Sequence, residues 1–465
     1  MRPFSMRDKL GYTLGDLGCC CTEQFRAMYL SVFYTLILQV NPFHIGILML
    51  ITKIWDAVND PIIGAIVDSR KATKGGKFIP WIRAFSFPMA VLCILGFVNV
   101  SNLAYGLRLA YMFVTYVLYE ALYTCVNVPF GTLSSVMTDD VRHRTALSRY
   151  RSLGGTIFMT VIVMVGPLVL YVDNKPVAGR FLMLASVFAL IGLLCLQITC
   201  VWCKERVAVP ERPKGEKLNY LHVIKEIAKN KALLGVMFFS LVGMIGASVV
   251  NGLNTYLFKD YFGNVKIMAV SGGLSVLYSL ITFAITQPLA DKLGKKEWCC
   301  WGAGFAAAVF ALLFFFPIHN PVLFIVINGV CYLGASGMQV LIWAMVNDSI
   351  DYHELQTGER NEGIVYSTYS FFRKLASAVS GSLSSFVLGF IGYNVAEGAM
   401  QTAEVSNAIW KSYTGIYVLG YGVAVAILFF VYPLTKAKTT EMLEQLKARR
   451  AEKASAVETG GEQCP

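Results

Sequence analysis

The stretch Lys53-Ile-Trp-Asp-Ala-Val-Asn-Asp60 lies midway along an apolar run from Phe43 to Val67. That run is long enough to cross a bilayer as a helix. A charge at the bilayer centre costs about 2.5–3.5 kcal/mol on insertion scales, yet Lys53, Asp56 and Asp60 all fall inside it, with Asn59 among them. At about 100° per residue the three charges project within about 60° of one another, with Asn59 close beside them. Lipid cannot accept such a face. It must look into a protein interior or a water-filled cavity.

The whole chain carries the same message. Of its 465 residues 56% are hydrophobic, and the mean hydropathy is +0.57. So much apolar side chain exceeds what the cores of an ordinary soluble protein bury, which leaves the membrane as solvent. Twelve cysteines lie mostly inside apolar runs and read as small packing residues. No G-x-S-x-G, Walker or H-E-x-x-H pattern is present and the five histidines have no metal-ligand spacing, so neither hydrolysis nor a nucleotide motor is indicated. No cofactor is expected.

Apolar runs fall at about 9–39, 43–68, 80–100, 106–136, 150–171, 181–203, 231–258, 268–291, 298–317, 321–347, 363–391 and 409–433. These predict an all-α membrane protein of twelve spans. The N-terminal segment lacks a cleavage pattern and reads as an uncleaved first span. One set of loops holds Arg70, Lys71, Lys74, Lys77 and Arg83, then Arg142, Arg144 and Arg149, then Lys204 to Lys217, then Lys292, Lys295 and Lys296, while the opposite loops are nearly bare. The basic set marks the cytoplasmic side and predicts both termini there. The net charge of +11 is therefore a topology signal, and no nucleic-acid partner is expected. The polar segment 204–230 divides a six-helix half at 1–203 from a second at 231–434, and 435–465 reads as a cytoplasmic tail. Pro61 to Lys71 resembles Pro288 to Lys296, each placing an aspartate and then basic residues at a helix end. Paired halves of this kind mark the major facilitator fold. A monomer in a bacterial inner membrane is expected.

Six stretches in order, Ile54 to Pro61, Gly76 to Trp81, Val126 to Leu133, Asn347 to Tyr352, Thr357 to Arg360 and Phe371 to Lys374, resemble the glycoside–pentoside–hexuronide:cation symporters. The resemblance covers nearly the whole chain. It implies uptake of a sugar, glycoside or sugar acid driven by a co-transported cation, Na+ or H+. The segment around Asn127 resembles the glucuronide and pentoside branch. In the melibiose carrier pattern an aspartate and a tryptophan occupy the positions of Asn127 and Gly131, and another aspartate matches Cys20.

Asp56 and Asp60 stand one helical turn apart and can converge on one ion, with Asn59 near them. The resemblance adds Thr124 to this cation site. The other account is a structural Lys53–Asp56 salt bridge with Asp60 merely hydrated. Lys53 can itself stand in for a bound cation, and two close carboxylates compete for one proton, so a proton fits the spacing as well as sodium does. On the fourth run Glu120, Thr124, Asn127 and Gly131 share one face, as a cavity-lining helix requires. Glu120 is either an additional proton site or a packing acid.

The resemblance places Arg151 and Lys374 against the sugar; the aromatic rings of Tyr123 and Trp343 can stack on its C–H face, and Cys20, Lys53 and Asn127 are further candidate substrate contacts. With both melibiose-type acids absent and these cations kept, the cavity is expected to be positive and to suit an anionic glycoside. Glu23 and Arg26, one turn apart on the first run, form a salt bridge or serve gating. Asp348, Asp351 and Arg360, at a cytoplasmic helix end, are candidates for inner-gate salt bridges. Two rival readings of the chain are a lysolipid-type carrier of the same fold and a non-transporting sensor.

Overall fold

The computed structural model describes residues 3–69, 75–138, 140–207, 230–357, 369, 372, 376, 379–380, 382–396 and 400–460. At 57–58, 60–61, 65, 68–69, 141–142, 144–145, 148–149, 152 and 450–460 only the backbone path is described. The described chain is helical apart from one short hairpin. In order come α1 (Met6–Leu36), α2 (Pro42–Ser69), α3 (Ile79–Leu95), α4 (Tyr105–Met137), α5 (Val141–Leu170), strands β1 (Tyr171–Val172) and β2 (Lys175–Pro176), and α6 (Ala178–Trp202). After 204–230 follow α7 (Lys231–Tyr256), extended by a π-turn over Leu257–Tyr261, then α8 (Ile267–Leu293), α9 (Lys295–Phe315), α10 (Pro321–Ala335) and α11 (Gly337–Thr357). The last helices are α12 (Ala403–Phe430) and α13 (Lys436–Gly460), and residues 382–390 are also helical.

Local chemistry sets the helix ends. The Ser5 amide donates to Asp8 Oδ2 at 3.0 Å, tying off the start of α1. The start of α3 is closed from outside its own sequence: Glu205, just beyond α6, accepts from the amides of Lys77, Phe78 and Ile79, each at 2.8 Å. Three donors that the helix leaves open are thereby satisfied. Gly76 makes room for that carboxylate; its φ is +105° and a Cβ there would stand 2.4 Å from Glu205 Oε1. At the tip of the hairpin Asp173 and Asn174 both have positive φ, as a two-residue turn needs. Asn320 caps α10 by accepting from the amides of Val322 and Leu323, with Pro321 in the first turn. The expected span 321–347 is longer and broken: α10 and α11 together run from Pro321 to Thr357, with an interruption at Ser336.

Eight described helices are long and apolar enough to cross a membrane. On α8 and α9, Leu280, Phe283 and Trp301 are exposed, and bare apolar surface of this kind is stable against lipid and costly against water. The chain resolves into two compact units, each described separately. The first comprises Met1–Lys214, Asn251–Gly273 and Gly381–Trp410, the second Gly215–Val250, Leu274–Ser380 and Lys411–Pro465. In the first unit α1 packs on α5 and α6, α3 on α4 and α6, and α2 on α4. Its core joins Tyr12, Trp81, Tyr119, Phe130 and Leu196. Cys200 and Cys203 are buried there, their thiols directed at the carbonyls of Ile79 and Asp8, which fits a packing role. The core of the second unit includes Phe239, Met345 and Tyr432, with Met442 and Leu446 of α13 packed into it.

Candidate functional site

Five charges that fall inside apolar runs, Glu23, Arg26, Lys53, Asp56 and Glu120, meet in the first unit. From α2, Lys53 Nζ lies 4.0 Å from Asp56 Oδ2 and 3.8 Å from Glu120 Oε2 on α4. Asp56 Oδ1 accepts from the Thr124 hydroxyl at 3.3 Å, joining α2 to α4 at the position where the sequence predicts a shared ion site. Asn59 is buried, and its Nδ2 has no hydrogen-bond partner among the described residues. Asp60 is on α2, one turn further along; its side chain lies outside the described residues.

The first helix contributes Glu23 and Arg26. Arg26 Nη1 is 3.4 Å from Glu120 Oε1 and 3.9 Å from Glu23 Oε2, so its shorter contact is with α4 and not with its own helix. Its guanidinium also lies 3.5 Å from the ring centroid of Tyr119 and 4.7 Å from that of Tyr116, and both faces offer the negative quadrupole a cation prefers. Glu120 is 1% exposed and Arg26 4%. Removing one partner from such a buried pair leaves an uncompensated charge and costs several kcal/mol, about 3–5. Thus the salt bridge expected within α1 is present, and Arg26 extends it to α4 through the shorter contact with Glu120, from which Lys53 continues the chain of charges to Asp56.

A second polar group lies along the same face of α4. Asn127 and Gly131 continue the stripe of Glu120 and Thr124 and are half-buried. A Cβ on Gly131 would stand 3.6 Å from Arg151 Nη1. Arg151 itself is held by an acid the sequence reading did not single out: its Nε donates to Asp16 Oδ1 at 3.0 Å. Asp16 Oδ2 accepts the Gly155 amide at 2.9 Å and faces the Cys20 thiol at 3.8 Å, and Gln24 Nε2 is 3.4 Å from the Cys20 sulfur. Close helix approach makes this possible: a Cβ on the neighbouring Gly154 would stand 2.5 Å from the Thr13 carbonyl oxygen. The substrate wall therefore does not lack an acid on α1, contrary to what the cysteine at position 20 led one to expect. The first helix does supply a carboxylate, one turn before Cys20, and it offsets Arg151. Its sequence signal was an ionised residue inside an apolar run, the same signal that exposed Asp56.

Other predicted residues lie elsewhere. Tyr123 stacks on Tyr119 at 6.0 Å between centroids. In the second unit Trp343 meets Tyr369 edge to face at 5.0 Å. Asp348 there is buried and receives Lys295 Nζ at 2.8 Å on both oxygens, a brace between α9 and α11. Asp351 is half-buried one turn further along α11. Arg360 and Lys374 lie outside the described residues.

Long apolar helices in two packed units, with charged pairs inside the first, fit a multi-pass membrane carrier of the major facilitator fold. The chain belongs to the MFS/sugar transport protein family, whose match covers residues 11–436. It is similar to an uncharacterized symporter, YjmB, of Bacillus subtilis (strain 168), with 31% identity over 95% of both chains. It is also similar to an isoprimeverose transporter of Lactiplantibacillus pentosus, 29% identical over 97% of this chain and 93% of that one. Among solved structures, a bacterial homolog of the human lysosomal transporter Spinster, inward-facing and unoccupied, matches with a TM-score of 0.65. It covers 92% of this chain and 96% of its own at 11% identity, a likeness of fold alone.

Proposed function

We propose that the chain is a secondary active symporter that couples uptake of a sugar or glycoside to a cation, Na+ or H+, by alternating access. The observation that carries this reading is the Asp56–Thr124 hydrogen bond, which closes a polar face of α2 onto α4 at membrane depth. Asp56, Asn59, Asp60 and Thr124 form the cation site, because oxygen donors on adjacent turns and adjacent helices can surround one small ion. Arg151, held by Asp16, and Asn127 beside it form the wall that meets the sugar, with Cys20, Lys53, Tyr123, Trp343 and Lys374 as further contacts. The Asp16–Arg151 pair is formally neutral, which favours an uncharged glycoside over a sugar acid, in keeping with a relative named for isoprimeverose.

In the same reading the chain spans a bacterial cell membrane twelve times with both termini cytoplasmic. Lys295–Asp348 braces the cytoplasmic end of the second unit, and Asp351 and Arg360 take part in the inner gate. A counterflow assay in proteoliposomes, run over neutral and anionic glycosides with and without sodium at two pH values, tests the proposal. Exchange of a neutral glycoside supports it. Absence of exchange for every glycoside overturns it.

A further inference from the structure

The cation site above leaves Glu23, Arg26 and Glu120 without a part, although Arg26 and Glu120 are almost wholly buried. We propose that the coupling ion is a proton, and that it is carried by the Glu23 and Glu120 carboxyls gathered around Arg26, with Lys53 relaying its arrival to Asp56. This inference rests on the transport reading; it identifies the ion and moves its seat from the Asp56, Asn59, Asp60 and Thr124 group to the glutamate pair, with Asp56 and Thr124 as the relay towards the substrate.

The geometry has three parts. First, two carboxylates from different helices share one guanidinium nitrogen, Arg26 Nη1, at 3.4 Å and 3.9 Å. Glu120 Oε2 and Glu23 Oε2 are both buried and neither has a hydrogen-bond partner among the described residues. Each meets a cation only beyond hydrogen-bond distance, Arg26 Nη1 at 3.9 Å from Glu23 and Lys53 Nζ at 3.8 Å from Glu120, and a protonated carboxyl needs fewer donors around it than an ionised one. Second, the described side chains of the cluster carry three formal negative charges (Glu23, Asp56, Glu120) against two positive (Arg26, Lys53). One proton on the glutamate pair removes that excess, and Asp60 adds a further formal negative charge on the same helix. Third, a metal ion needs a shell of oxygens, and here an ammonium already stands between two of the carboxylates.

The groups that face the pair are Lys53 and Asp56 from α2, Cys93 from α3, Tyr116, Tyr119 and Tyr123 from α4, and Arg26 and Tyr34 from α1. Among the described carboxyls of this cluster Glu120 is the most buried, and it shares Arg26 with Glu23 and Lys53 with Asp56. Lys53 is nearly equidistant from Glu120 and Asp56, at 3.8 Å and 4.0 Å. Ionised Glu120 therefore competes with Asp56 for the ammonium. A proton on Glu120 cancels that attraction and leaves Lys53 to Asp56, whose other oxygen holds Thr124 on the substrate stripe. Proton arrival is thereby felt at the helix face that continues to Asn127 and Arg151.

The test uses the full chain in proteoliposomes, with isoprimeverose as the probe. With one proton per sugar, a pH gradient drives about tenfold accumulation per pH unit, and a sodium gradient at uniform pH drives none. E120Q is expected to lose the pH-driven accumulation, and E120D to recover it. Independently of any substrate, infrared titration of the wild type shows a protonated-carboxyl band that changes with pH and is missing in E120Q. Sodium-driven accumulation at uniform pH overturns the inference, as does unchanged accumulation in E120Q or a wild type with no titrating band. If isoprimeverose shows no counterflow, the choice of substrate has failed, and the infrared titration still decides the seat of the proton.

Discussion

Replacing Asp16 with asparagine separates the charge of Arg151 from its counter-ion while nearly preserving shape. In the structure Asp16 accepts two hydrogen bonds, from Arg151 Nε at 3.0 Å and from the Gly155 amide at 2.9 Å. Asparagine has one acceptor oxygen, so one of these donors faces an NH2 group in D16N. A hydrogen bond to a charged group is worth about 1.5–3 kcal/mol. Arg151 is partly solvated, with 38% of its side chain exposed, so the low end applies. A loss of about 1.5 kcal/mol corresponds to about tenfold in an equilibrium constant. The guanidinium in D16N is then less well aimed and carries an uncompensated charge. Half-saturation for a neutral glycoside in counterflow should rise about tenfold, while a glucuronide of similar size should gain relative to it. The assay is competition between the two in proteoliposomes of wild type and D16N. If the ratio of the two half-saturation values is the same in both proteins, Asp16 does not set the charge of the substrate wall.

Three further outcomes follow from single contacts. T124A removes the hydroxyl that Asp56 accepts at 3.3 Å; at about 1 kcal/mol for so long a bond, the cation concentration giving half-maximal uptake should rise about fivefold, with T124S near wild type. K295A strands the Asp348 carboxylate in a buried position and should cost about 3–5 kcal/mol, read as a lower melting temperature that the double variant K295A/D348A partly restores. E205A opens three amides at the start of α3 and should cost about 2 kcal/mol, lowering the melting temperature with little effect on substrate half-saturation.

The sequence made the helices legible because membrane helices announce themselves by length and apolarity. The run read at 43–68 is α2, Pro42–Ser69, almost to the residue. Helix ends were less legible where polar residues continue a helix beyond the hydrocarbon, as at Met6 to Lys9 of α1 and in the stretch to Thr357 of α11. The polar face of α2 and the stripe on α4 followed from periodicity, and the Asp56–Thr124 contact agrees with the pairing that the resemblance implied. Partners distant in sequence were not legible. Arg26 and Glu120 are 94 positions apart and Asp16 and Arg151 are 135 apart. Which acid faces which base depends on how closely α1 approaches α4 and α5, and that is set by small residues such as Gly154 and not by the charges themselves. Reading Cys20 as a lost acid missed that a carboxylate one turn away on the same helix face can serve the same arginine.

In the proposed symport the α2–α4 face couples glycoside movement to a cation. The measurement that bears on it most directly is the ratio of gradient-driven accumulation to counterflow exchange, compared between wild type and D56N. Accumulation in the wild type should collapse when the proton and sodium gradients are dissipated, and the D56N ratio should be lower by at least about tenfold, since coupling needs the Asp56 charge. Accumulation that survives dissipation of both gradients, or a D56N ratio equal to that of the wild type, would contradict it.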